Sequence, residues 1–153
     1  MNILLVDDDR NLVTTLSHGL RKAMGETISV AVCFSGSEAL SLLGNQVFDV
    51  VVSDFNMPGP SGLEFLNRIR QDNREMILIL ITAYGTDALE EGARQLGVGY
   101  ITKPFELAFL VQLIKDLVQG EKTKGSTDKA SHIIEKLGKP AGSSQYSLGG
   151  ESA

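Results

Sequence analysis

The chain has a single cysteine, so it holds no disulfide of its own. Cys33 lies in the apolar run Thr27-Ile28-Ser29-Val30-Ala31-Val32-Cys33, where a thiol packs as a small core residue. No apolar run approaches the ~18 residues of a membrane span. No basic segment precedes the short apolar stretch at the N-terminus, so neither a membrane helix nor a secretory leader is expected, and the expected location is the cytoplasm. Positive charge is short as well: 14 Lys and Arg against 19 Asp and Glu leave a net charge of −5, which argues against direct nucleic-acid binding. Its two histidines, His18 and His132, are far apart and neither has a second ligand type at metal spacing, so both are expected at the surface. Neither GxGxxG nor GxxxxGK[ST] occurs, which excludes the common dinucleotide and Walker phosphate loops. There is no internal repeat.

What is present suits one domain with a real core, at 42% hydrophobic residues in a chain of 153. Asn2-Ile3-Leu4-Leu5-Val6, Phe48 to Ser53 and Met76 to Thr82 are short continuous apolar runs, the pattern of strands buried on both faces of a parallel sheet. Thr27 to Cys33 and the shorter, more polar Val98-Gly99-Tyr100-Ile101-Thr102 complete five strands, the last suited to a sheet edge.

Helical spacing alternates with these runs. Leu12, Leu16, Leu20 and Met24 follow Asp9, a capping residue, and Ser35-Gly36-Ser37-Glu38 and Ser61-Gly62-Leu63-Glu64 both match the capping box that opens a helix. Thr86 is placed to cap a helix over 87–96 that ends at Gly97, and Leu107, Leu110, Val111, Ile114, Leu117 and Val118 form the stripe of a fifth helix. The alternation predicts an α/β fold, (βα)5, with a doubly wound five-stranded parallel sheet over residues 1–119. From 120 to 153 the composition turns to Gly, Ser, Lys and Thr, which predicts a flexible tail or linker with one short helix at 130–137.

Every polar cluster of note follows directly on an apolar run: Asp7-Asp8-Asp9, Asp54, Thr82-Ala83 and Lys103-Pro104. In open parallel sheets ligands bind beyond the carboxyl ends of the strands, where the strand order reverses. With strands one and three adjacent, Asp7, Asp8 and Asp54 converge. Clustered carboxylates repel and call for a cation, and hard oxygen donors suit Mg²⁺, with Mn²⁺ as its substitute. Three carboxylates, one divalent ion and Lys103 sum to no net charge, a site ready for an incoming phosphoryl group.

Val6-Asp7-Asp8-Asp9, Asp54-x-x-Met57-Pro58-Gly59, Thr82-Ala83 and Lys103-Pro104-Phe105, in that order, resemble the receiver domains of two-component response regulators, the CheY-like family. The resemblance covers residues 1–119 and implies strand order 2-1-3-4-5, the flavodoxin-like order. It implies that Asp54 accepts a phosphoryl group from a histidine kinase or phosphotransfer protein. Asp7, Asp8, Asp54 and the backbone carbonyl of Asn56 would hold Mg²⁺, and Lys103 and Thr82 would contact phosphoryl oxygens. Thr82 and Tyr100 would form the switch, Asn56 and Tyr84 would tune the phosphoryl lifetime, and the Lys103–Pro104 bond would be cis. Such a protein catalyses its own phosphorylation and dephosphorylation but is first a regulator. It signals through the face formed by the fourth helix, fifth strand and fifth helix, to a second copy or a target protein.

Phe109 departs from the family pattern: it falls outside the apolar stripe at a position usually charged, and is expected to be an exposed partner anchor on that face. Two other readings fit parts of the sequence. A haloacid-dehalogenase-like phosphatase also uses a strand-end Asp and Mg²⁺, but wants an acid two residues later, where this chain has Asn56. A phosphate-independent pseudo-receiver would not need the acidic pair, Thr82 and Lys103 together.

Overall fold

The computed structural model describes residues 1–123 and the backbone of 146–148. Strands and helices alternate as β1 (Asn2–Val6), α1 (Arg10–Met24), β2 (Ser29–Cys33), α2 (Gly36–Leu43), β3 (Val50–Asp54), α3 (Gly62–Asp72), β4 (Ile77–Thr82), α4 (Asp87–Gln95), β5 (Gly99–Thr102) and α5 (Leu107–Thr123), followed by β6 (Tyr146–Leu148). The sheet order is β2-β1-β3-β4-β5-β6. The first five strands are parallel, and β6 runs antiparallel to β5.

The continuous apolar runs are buried on both faces because they face two separate cores. Ile3, Leu5, Val50, Val52, Ile77, Ile79 and Ile81 point to the α1 and α5 side. Leu4, Val6, Val51, Leu78 and Leu80 point to the opposite side, under α2, α3 and α4. The alternation is strand geometry, since successive side chains leave opposite faces.

Most caps follow from the sequence. Asp9 accepts from the amides of Asn11 and Leu12, Thr86 from Leu89, and Ser61 and Glu64 form the full capping box. At α2 the box is open: Ser35 caps Glu38, but the Glu38 carboxylate takes the amide of Phe34 instead of that of Ser35. Gly97, at φ 63°, supplies the left-handed turn after α4.

One expectation is corrected here: β5 is not the sheet edge, because β6 pairs with it. Helix α5 runs on to Thr123. The helix expected at 130–137 lies outside the described residues. Among those residues no helix is long and apolar enough to cross a membrane.

Arg70 ties the far end of α3 to its surroundings. Its guanidinium donates to the carbonyls of Leu96 (3.0 Å) and Gly97 (3.1 Å) at the end of α4, and to those of Arg74 (2.7 Å) and Met76 (2.9 Å) before β4. The fork spans carbonyls of two segments, one of them a helix C-terminus where positive charge is favoured. Arg70→Ala is expected to cost about 2–4 kcal/mol, read as a lower urea midpoint, since several charge-assisted bonds go at once. Arg70→Lys should recover less than half of it, because a point charge cannot span both segments.

Candidate functional site

The carboxyl ends of β1, β3, β4 and β5 bring the expected residues to one rim. Asp7 and Asp8 follow β1, Asp54 ends β3, Thr82 ends β4 and Lys103 follows β5. Asp7 and Asp54 are each 6% exposed and Thr82 is fully buried, whereas Asp8 is open to solvent. Carboxylate oxygens of Asp7, Asp8 and Asp54 lie within 4.8 Å of one another.

Lys103 is the countercharge. Its ammonium donates to Asp54 Oδ1 at 2.8 Å and to Asp7 Oδ2 at 3.3 Å. The other cation nearby in sequence, Arg10, is held elsewhere, its guanidinium 4.0 Å above the Phe34 ring. Burial first, and the charge of Asp54 second, push the Asp7 carboxyl above its usual range, against the Asp9 amide and Lys103, which lower it. The Asp9 amide reaches Asp7 Oδ1 at 2.9 Å. Burial alone would depress Lys103, but its hydrogen bond and charge pairing with Asp54, then Asp7, raise it above the ordinary lysine value. With three carboxylates against one ammonium, the cluster carries an unbalanced negative charge and a hard oxygen donor set. A divalent cation fits that set.

Thr82 is held by both of its neighbours. Its carbonyl accepts from the Lys103 amide at 2.7 Å, and its hydroxyl from the Tyr84 amide at 3.1 Å. The Lys103–Pro104 bond is cis. Tyr100 is 1% exposed, on the α4 side of β5, and its hydroxyl has no hydrogen-bond partner among the described residues. Burial, then the charge of Glu90, raise its pKa; the Thr86 backbone acts against them without forming a well-aligned bond. Asn56 and Tyr84 are exposed at the rim.

Phe109 is not fully exposed, contrary to expectation. It is half-buried and packs against the same core cluster as Phe105 and Leu107. Helical side chains lean toward the N-terminus of the helix, which lets Phe109 reach the core from a position outside the apolar stripe.

Sequence reasoning missed the role of Gly62. A Cβ there would collide with the backbone of Asp54 and Phe55, and the Gly62 amide donates to the Phe55 carbonyl at 2.9 Å. Helix α3 therefore starts in direct contact with the backbone of Asp54 and Phe55. The available signal was a glycine at the first helical position, where it weakens a helix and so calls for a steric reason.

The family profile described as response regulator receiver domain matches residues 3–115. The chain belongs to the response regulator receiver domain family. FleR, a response regulator protein of Pseudomonas aeruginosa, is 39% identical over 113 residues, covering 73% of this chain and 23% of FleR. TctD of Salmonella typhimurium, a transcriptional regulatory protein, is 32% identical over 142 residues, covering 90% of this chain and 58% of TctD. This receiver chain thus spans less than two thirds of the length of both relatives. The crystal structure of a CheY-like receiver domain protein from Methanospirillum hungatei matches with a TM-score of 0.75 and 25% identity, over 81% of this chain and 98% of that one. Membership removes the phosphatase reading, in keeping with Asn56 where that chemistry wants an acid.

Proposed function

We propose that this receiver domain is a phosphorylation-activated switch in which Asp54 is the phosphoacceptor. The observation that carries the reading is the bridge from Lys103 to Asp54 and Asp7 across the ends of three strands. Asp7, Asp8, Asp54 and the Asn56 carbonyl are the residues to hold Mg²⁺ or Mn²⁺, which, when bound, would neutralise charge on the transferring group.

The remaining work belongs to the chain. Burial and the Lys103 hydrogen bond fix one oxygen of Asp54, leaving the other to attack the phosphorus of a phosphohistidine. An O–P bond forms and the N–P bond breaks; the imidazole nitrogen keeps the electron pair and takes up a proton. Lys103, released from the carboxylate, offers its ammonium to a phosphoryl oxygen. The Thr82 hydroxyl, whose oxygen now accepts from the Tyr84 amide, offers its proton to a second phosphoryl oxygen.

Thr82 and Tyr100 form the relay. Thr82 pairs with Thr102 in register, two residues from Tyr100 on the same strand, so a shift at Thr82 reaches the face of α4, β5 and α5. Phosphorylation biases an existing equilibrium of that face, where a second copy or a target protein would read it. Exposed Asn56 and Tyr84 stand where water would approach, and set the phosphoryl lifetime. A histidine kinase or phosphotransfer protein is the donor, and the cytoplasm is the place.

Incubation with acetyl phosphate and Mg²⁺, followed by intact mass, is expected to show one phosphoryl adduct per chain. Chelating the metal beforehand should cut the yield at least about tenfold, as loss of divalent charge compensation does in phosphoryl transfer. No adduct would favour the phosphate-independent module.

A further inference from the structure

A sixth strand sits where the sheet would otherwise end. Gly99, Tyr100 and Ile101 of β5 pair with Leu148, Ser147 and Tyr146 of β6, and β6 also lies against α4. Left open, β5 would present a row of free amides and carbonyls, the template by which sheet edges recruit other chains. The strand it would expose is also the one joined to the site: Lys103, one residue after it, binds the Thr82 carbonyl, and Tyr100 stands opposite Ser147.

We infer that Tyr146–Leu148 is an intramolecular cover for the β5 edge, a strand held in cis that any protein closing over the α4 and β5 side must displace. Residues 124–145 are the tether between α5 and β6. A covalent link of this kind makes pairing intramolecular, with an effective concentration of mM order. A second copy at ~10 µM offers about a hundredfold less. The cis strand therefore wins over the trans one. At three residues it is also short enough to be displaced, since brief strands open at little cost. Only its consequence for signalling rests on the function proposed above.

The test is amide hydrogen exchange on the full chain and on Ser147→Pro, which removes a ladder donor and disfavours a strand interior. Those amides of Gly99 to Ile101 that face away from β4 are expected to exchange at least tenfold faster in the variant, with β1 and β3 unchanged as proof of folding. A chain cut before Tyr146 should reproduce the result. Equal exchange in parent and variants would overturn the cover. Protection in the parent that grows with protein concentration would overturn the cis assignment in favour of a strand from a second copy. Phosphoryl uptake is scored separately by intact mass, so a failed adduct counts against the function and leaves the strand standing.

Discussion

Asp54→Asn is expected to leave a folded chain that takes no phosphoryl group from acetyl phosphate and Mg²⁺, a loss on the order of 10⁴-fold or more in rate, as for removal of a nucleophile elsewhere. The amide matches the carboxylate in shape and keeps an oxygen for the Lys103 ammonium, now 2.8 Å from Asp54 Oδ1. Stability should hold or rise slightly, because the charge on Asp54 is one of the causes that push Asp7 upward. Intact mass reads the adduct and a thermal melt reads the fold. An adduct on the variant would move the acceptor to another carboxylate; a collapsed melt would mean that Asp54 is needed for the fold rather than the chemistry.

That separation of roles follows from what the sequence could and could not show. Each site residue came at the end of an apolar run, and strand geometry alone then set Asp7, Asp54 and Thr82 on one rim. The contacts that hold the rim were hidden, because they join residues far apart in the chain. Gly62 read as part of a capping box, while its real constraint is the backbone of Asp54. Arg70 carries no local signal of its contacts, since its partners at Leu96 and Gly97 lie more than twenty-five residues on. Tyr146-Ser147-Leu148 is too short to show a period, and it is flanked by Ser-Gln and Gly-Gly, so a strand there left no trace. The burial of Phe109 was hidden for a different reason: the helical wheel counts positions, and a helical side chain leans away from the position it occupies.

The second large effect is expected at Lys103, and it separates charge from packing. Lys103→Met keeps an apolar stem of similar reach and removes the ammonium that faces two carboxylates, Asp7 and Asp54, which are 6% exposed each. Phosphoryl uptake should fall by about 10²–10³-fold, the usual loss when one preorganised donor to developing charge is removed. Breaking a fully buried pair costs about 3–5 kcal/mol. The Lys103 side chain is 25% exposed, so water shares the work and about 1–2 kcal/mol is expected here. A melting temperature lower by a few degrees would report it. Mg²⁺ should then raise the melting temperature of the variant by more than that of the parent, because the carboxylates that lost their ammonium gain most from a new positive charge. Equal gains in both proteins would show that the lysine acts through its stem, and the charge-balance account of the site would fall with that result.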